Sequence, residues 1–328
     1  MSKADGDVGI HIEHSWADAP VPLDGFFNHA MVFAERWLKE RRAGAGAGVE
    51  KGPDDEADAA ASWPAAAEVE FALDDDDVKR AIRDAERFTD AAIADSSVEV
   101  VHCTGLGKSV WKQAGVSPDA AVQMAMQLAY RRLYGGDVPV ATYETIGMAQ
   151  YLHARTECCR VVSNASERFV QAMLRGWLRT RNEADRVEAE AALRAACDAH
   201  IQYIVEGQKG KGVDRHLLGL RVALPDAKPA ALFSDPLFLR SGTTGAFVLS
   251  TSNNSYINRP FGGLFGCGVP DGFGVCYIPA ADEVTLCIES KRSSSVTRGD
   301  SLRFGMMVND ALIDIATVAG VPLPRTMM

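Results

Sequence analysis

VEVVHCTGLGKSVWKQAGVSPDAAVQMAMQLAYRRLY, residues 98–134, is the stretch from which the fold class is read. Its first six residues, Val98–Cys103, read as a strand. Ser117-Pro118-Asp119 then opens a helix over 118–134, with an apolar face carrying Val122, Met126, Leu128 and Leu133. Between the two lies a run ending in Gly-Lys-Ser that invites a phosphate-loop reading. That pattern needs a glycine five residues before its second glycine, and His102 stands there instead. No helix is expected directly after the loop. What remains is a pair of lysines, Lys108 and Lys112, ahead of the helix start at Pro118. Such a pair can hold a phosphate by point charge and helix dipole, and equally can be two solvated surface lysines.

Working outward, four aspartates at 74–77 open a helix reaching about residue 95, where acids favour the positive end of the dipole. Residues 43–67, AGAGAGVEKGPDDEADAAASWPAAA, have the composition of a flexible linker or surface insertion and form the clearest internal boundary. Ahead of it, 24–42 reads as an amphipathic helix carrying Phe26, Phe27, Met31, Val32, Trp37 and Leu38. Farther upstream, IHIEHSWADAP at 10–20 begins with strand-like alternation at Ile10 and Ile12 and turns through Ser15 and Trp16. On the other side, 165–206 reads as one long helix or two. Short apolar strands follow at Ala246–Thr251, Phe273–Ile278 and Val284–Glu289, divided by Gly-, Asn- and Pro-rich turns, and a last helix spans about 299–319. Helices and strands are mixed throughout, so the expected class is α/β.

Composition bounds the function. The chain of 328 residues is 47% hydrophobic, enough for a substantial core, and 24% charged. Its 44 acidic against 34 basic residues give a net charge of -10. That excludes broad nucleic-acid binding while permitting a local basic pocket for a phosphate-bearing ligand. Seven cysteines, with no C-x-x-C pair and with Cys158 and Cys159 adjacent, argue against a disulfide framework and a zinc site and favour a reducing compartment. Beside His11 and His14 no third ligand recurs at useful spacing, so no metal is expected. No apolar run approaches the roughly 18 residues that span a bilayer, and the first ten residues hold no signal-peptide core.

Several stretches could carry chemistry. His14 sits at the turn of 10–20, with Asp18 four residues later; one helical turn brings the two together, and a more distant basic partner for Asp18 is equally open. An imidazole can take a proton from a hydroxyl and return it. YETIGMAQYLHART at 143–156 offers Tyr143, Thr145 and Thr156 as donors to a carboxylate. Asp214-Arg215-His216-Leu217-Leu218-Gly219 sets an arginine in an apolar stretch, where it needs an anion from the protein or a bound carboxylate. Ser250-Thr251-Ser252 closes a strand with three hydroxyls, one of which could face a developing oxyanion. VPDGFG at 269–274 reads as a turn between strands.

Taken in order, these stretches resemble the choline/carnitine acyltransferase family. The matches are EHSWADAP at 13–20, SPDA at 117–120, QLAY at 127–130, YET at 143–145, RTE at 155–157, DRHLLGL at 214–220, STS at 250–252 and VPDGFGVCY at 269–277. EHSWADAP is similar to the carnitine palmitoyltransferase branch. The resemblance implies a CoA-dependent acyltransferase fold, a mixed sheet flanked by helices. It implies transfer of a medium- or long-chain acyl group between CoA and the hydroxyl of carnitine. In it His14 is the general base, Ser252 the oxyanion donor, and Asp18 a supporting acid that pairs with Arg215. Lys108, Lys112, Asp119, Thr145 and Asn253 match CoA-contacting positions; Asn253 stands where the family usually has Gln. Tyr143, Thr156, Arg215, Ser250 and Phe265 match the carnitine side, and Thr156 with Arg215 favours carnitine over choline. Gly262 and Gly263, ahead of Phe265, leave the acyl tunnel open.

Family members are much longer. By resemblance residues 1–42 are the end of an N-terminal catalytic domain, 43–67 a linker, and 68–328 the C-terminal domain. The alternative expectation is a truncated, non-catalytic remnant that binds acyl-CoA or serves as an interaction module. Acyl-CoA and carnitine are the expected partners, with CoA as substrate and no permanently bound cofactor. A companion N-terminal polypeptide, and membrane association through a missing N-terminal region, are the further partners the resemblance allows. An intracellular, mitochondrial compartment is the expectation the resemblance implies.

Overall fold

A computed structural model describes Ile12, His14, Ser15, Asp18, His29, Met31, Val32, Arg36, Lys39, Phe71 and residues 73–323 apart from 137–138, 154, 226–229, 243–244 and 256–262. The chain divides into two compact units, Met1–Ala94 and Asp95–Met328. In the first, His29, Met31, Val32, Arg36 and Lys39 are helical, and most of the helix expected over 24–42 lies outside the described residues. The same holds for the strand expected at Ile10–Ile12, of which Ile12 alone is described, in no strand. The linker 43–67 also lies outside them. Helix α1, Asp76–Asp95, starts where the aspartates predict.

The second unit is built on a six-stranded mixed sheet. Its strands are β1 (Ser96–Thr104), β2 (Thr142–Gly147), β3 (Thr156–Arg160), β4 (Leu249–Asn253), β5 (Phe273–Pro279) and β6 (Glu283–Lys291), in spatial order β1-β6-β5-β4-β2-β3. The central pairs β2/β4 and β4/β5 are parallel and the others antiparallel. Helices α3 (Pro118–Tyr134) and α7 (Ser301–Val318) pack against each other, and α7 lies on β1 and β6. Behind them runs α5 (Glu183–Glu206), with α4 (Asn164–Gln171) continued through a π-helical segment, Ala172–Trp177, to Thr180. The class is α/β, a mixed sheet flanked by helices.

Helix α3 is the centre of the core. Ser117 caps it, its Oγ accepting from Ala120 N at 3.3 Å, and Pro118 takes the first turn, where its missing N–H costs nothing. Every residue from Ala120 to Arg131 is buried, so the helix is not amphipathic in the usual sense but enclosed all round. Polar members of that run are paired: Gln127 Nε2 donates to Thr142 Oγ1 at 2.7 Å and Arg131 Nη1 to Glu167 Oε2 at 2.9 Å. Phe273 on β5 stacks on Phe304 of α7 with ring centroids 4.3 Å apart, closing the sheet against its helix layer.

Two expectations are corrected here, after the Gly-Lys-Ser run and at β2 and β3, and the alternative left open for 165–206 is resolved. A helix does follow the Gly-Lys-Ser run directly: α2, Lys108–Gln113, anchored by buried Trp111, whose Nε1 donates to Leu106 O at 2.7 Å. Its backbone is tied at Lys108 N and Ser109 N to the carbonyls of Ala280 and Ala281, contacts no local pattern announces. Lys108 and Lys112 therefore lie within a helix of their own, one turn apart, not in a loop ahead of Pro118. The region 165–206 is two helices, broken where Arg181 turns left-handed (φ 54°) and Asn182 caps α5 by accepting from Asp185 N at 2.8 Å. Strands β2 and β3, at 142–147 and 156–160, appear where no strand is predicted.

Candidate functional site

Strand pairing sorts the candidate residues between the two faces of the sheet. In register, Tyr143 stands opposite Ser250 and Arg160, Thr145 opposite Cys158, Gly147 opposite Thr156, Ser250 opposite Gly274, and Ser252 opposite Cys276. Side chains alternate along a strand, so Tyr143, Thr145, Thr156, Ser250 and Ser252 share one face. The intervening residues, Glu144, Thr251 and Tyr277, share the other, toward α3. Thus Thr251 Oγ1 accepts from Gln123 Nε2 at 2.8 Å, while Ser250 and Ser252, its neighbours, point away from that helix.

On the first face a cation and two hydroxyls meet. Arg215 enters from α6 (Asp214–Ala223), and its Nη2 lies 3.3 Å from Tyr143 OH and 3.2 Å from Thr156 Oγ1, with Nε 3.3 Å from Thr156 O. Tyr143 OH in turn accepts from Thr145 Oγ1 at 3.1 Å. Asp214, the first residue of α6, is pinned by Arg160, whose Nε lies 3.0 and 2.9 Å from its two carboxylate oxygens. That fork fixes the start of α6 to β3 and so fixes where Arg215 emerges. Arg215 itself is exposed. Its guanidinium has hydroxyl and carbonyl partners, an arrangement ready to take a carboxylate.

The segment 263–268 lies over this face beside β5. A Cβ at Gly274 would come within 2.5 Å of Phe265 O, so the close approach requires glycine there. Phe265 and Gly263 are half-buried, and Gly262 lies outside the described residues. Ser252 Oγ is 3.4 Å from Asn254 Oδ1. His14 and Asp18 belong to the first unit, where Nδ1 and Oδ1 stand 3.7 Å apart in the i, i+4 relation. Lys112 is exposed and Lys108 half-buried.

Asp119 and Asn253 go elsewhere. Both turn to the helix side, Asn253 Nδ2 donating to Asp119 Oδ1 at 2.6 Å, and there they join a buried cluster centred on His200 of α5. His200 Nε2 is 3.2 Å from Asp119 Oδ2 and 3.1 Å from Glu144 Oε2, and its Nδ1 is 3.8 Å from Cys159 Sγ. Tyr277 OH lies 2.6 Å from Asp119 Oδ1 and 2.7 Å from Glu144 Oε1, and accepts from Gln123 Nε2 at 3.0 Å. A phenol has one proton, so it can donate to one of those carboxylates only. The other must itself carry a proton.

The titration behaviour agrees. Burial would raise the Asp119 carboxyl, yet hydrogen bonds from His200, Tyr277 and Asn253 and the His200 charge hold it below the usual range. Glu144, nearly inaccessible and facing the Asp119 charge, is pushed up to about 7 against the hydrogen bonds from His200 and Tyr277. His200 is held well above its ordinary value because its bonds to Asp119, Cys159 and Glu144 outweigh the cost of burial. Glu144, Cys159 and His200 also offer three ligand-type atoms within 4.8 Å of one another, a grouping the sequence reasoning did not foresee. Burial raises the Cys159 thiol, and Glu144 Oε2, buried 3.1 Å from His200 Nε2, accepts no well-aligned hydrogen bond among the described residues.

A stability prediction follows from Glu144. Its folded pKa of about 7 lies above its ordinary 4.5, so the native state holds the proton more tightly. The resulting stabilisation is complete below the ordinary value and is lost as pH rises through about 7, a loss on the order of 3 kcal/mol. Urea unfolding of the wild-type chain should show stability falling between about pH 5 and pH 7, and Glu144→Gln should flatten that slope. An unchanged slope in the variant would assign the dependence to other groups.

The sequence model of the choline/carnitine O-acyltransferase family matches residues 1–308. The chain belongs to that family. It is 29% identical over 320 residues to carnitine O-acetyltransferase of Columba livia, covering 96% of this chain and 45% of that one. It is 36% identical over 213 residues to choline O-acetyltransferase of Rattus norvegicus, 64% of this chain and 31% of that one. With the peroxisomal carnitine O-octanoyltransferase of Mus musculus it shares 32% over 304 residues, 92% of this chain and 46% of that one. The chain thus spans less than half the length of these carnitine/choline acyltransferases. Their names divide between acetyl and octanoyl groups and between carnitine and choline, so membership leaves acyl length and acceptor to be argued from the site.

Proposed function

We propose that the chain is a carnitine O-acyltransferase that moves a medium- or long-chain acyl group reversibly between CoA and the carnitine hydroxyl. The observation that carries the reading is the meeting of Arg215, Tyr143 and Thr156 on one face of the sheet. A guanidinium backed by two hydroxyls suits a carboxylate, which carnitine has and choline lacks. Phe265 beside that face would meet the trimethylammonium through its ring, with Ser250 on the same side.

In this reading His14, oriented by Asp18, takes the proton from the carnitine hydroxyl as its oxygen attacks the thioester carbonyl. Ser252 donates to the oxyanion of the tetrahedral intermediate. When the intermediate collapses, the C–S bond breaks and the His14 imidazolium returns its proton to the departing CoA sulfur. The reverse reaction protonates the carnitine oxygen by the same group. No acyl-enzyme forms. Lys108 and Lys112, one turn apart on α2, hold the CoA 3′-phosphate, with Thr145 as a further CoA position; Asp119 and Asn253, paired with each other on the helix side, are left out of the CoA site. The mitochondrial compartment rests on resemblance alone, and one named relative is peroxisomal. No helix among the described residues is long and apolar enough to cross a membrane.

Acyl length is assigned, by the family resemblance, to the lack of side chains at Gly262 and Gly263. With palmitoyl-CoA and acetyl-CoA compared at saturating carnitine, Gly263→Met should cut palmitoyl transfer by about tenfold or more and acetyl transfer by less than about threefold. Equal losses for the two donors would remove the assignment.

A further inference from the structure

The proposed transfer chemistry uses one face of the sheet; the buried ionic cluster sits on the other, and nothing above gives it a task. Its members come from α3, four strands and α5: Asp119 from the first turn of α3, Glu144 from β2, Cys159 from β3, Asn253 from β4, Tyr277 from β5 and His200, with Cys197 one turn before it, from α5. His200 is the member that touches three of these elements at once, with Asp119 and Glu144 within 3.2 Å of one nitrogen and Cys159 near the other. Glu144 stands in sequence between Tyr143 and Thr145, whose side chains face the opposite way. A shift of Glu144 is therefore a shift of the Tyr143 hydroxyl against Arg215. Two carboxylates placed this close, Glu144 buried and Asp119 half-buried, need a counter-charge, and His200 is the group in position to supply it.

We propose that His200 is a positioning residue, a buried imidazolium that ties α3 to β2 and β3 and thereby sets the Tyr143–Arg215–Thr156 face for the carboxylate of the acceptor. Its link to transfer rests on the acyltransferase reading; its charge state does not. Removing the imidazole by His200→Gln leaves the half-buried Asp119 without a cation, and adding Asp119→Asn removes the stranded charge.

The test has two readouts. In the wild-type chain, the Hε1–Cε1 resonance of His200, assigned by its loss in His200→Gln, should stay at the imidazolium position from about pH 5.5 to 8.5 while exposed histidines titrate. Titration near the ordinary value of about 6.5 would overturn the proposal. In steady-state assays, His200→Gln should raise KM for carnitine by about tenfold or more with kcat within about threefold, and the double variant with Asp119→Asn should recover most of that loss. An unchanged KM in the single variant would overturn it as well. If His200→Gln does not fold, the resonance is assigned through Asp119→Asn, which perturbs its neighbour, and the titration decides. A wild-type chain without acyl transfer would defeat the acyltransferase reading, while the titration would still decide the state of His200.

Discussion

Replacing His14 by alanine should lower turnover of palmitoyl-CoA with carnitine by about two to four orders of magnitude, the usual worth of a positioned general base. The loss should fall on kcat, with KM for carnitine changing little, because the imidazole acts on a proton that moves only as the bond forms. Geometry supports the assignment locally. His14 Nδ1 faces Asp18 Oδ1 at 3.7 Å, so in the proposed role Asp18 is the carboxylate beside the imidazole. Asp18→Asn should then produce a smaller fall, through lost orientation and not through loss of the base. A His14→Ala chain that retained wild-type turnover would remove the mechanism entirely.

The second large effect is expected at Arg215. Arg215→Ala should raise KM for carnitine by about ten- to a hundredfold, the loss of a charge-assisted pair worth about 1.5–3 kcal/mol. Turnover at saturating carnitine should change less, because the carboxylate makes and breaks no bond in the transfer and binds alike in ground and transition states. Arg215→Lys should recover only part, since an ammonium cannot match a carboxylate in two parallel bonds. The hydroxyls that now partner the guanidinium, Tyr143 OH and Thr156 Oγ1, would be left without their cation. If instead kcat fell and KM held, Arg215 would be supporting the fold of α6 and not the acceptor.

What could be read in advance followed local chemistry. Helix α3 was predicted over its full length because Ser117 and Pro118 mark its start and the apolar residues recur without a break. Strands β5 and β6 were predicted within two residues at each end, being apolar runs set between turns. Strands β2 and β3 were missed because their buried positions include Glu144 and Glu157, which carry no apolar signal. Helix α2 was missed for a related reason: its backbone is held by the carbonyls of Ala280 and Ala281, some 170 residues away in sequence.

The site shows the same division. Tyr143, Thr156 and Arg215 were picked out as chemistry-bearing groups, and the sheet register then brings them to one face. Asp119 and Asn253 were picked out too, but their turn toward the helix side depends on strand alternation and on His200, neither visible in their own neighbourhoods. Glu144 lay inside the quoted YET motif, and His200 inside an Ala- and Arg-rich helix where a lone histidine carries no signal. Their partnership spans 56 residues and exists only in the fold.

The most direct test incubates the purified 328-residue chain with palmitoyl-CoA and carnitine, or with palmitoyl-CoA and choline, and follows released thiol and acylated product by mass spectrometry. The account predicts palmitoylcarnitine in amounts equal to the CoA released, and no product with choline. Palmitoylcholine in place of palmitoylcarnitine, or CoA release without any acylated acceptor, would contradict it.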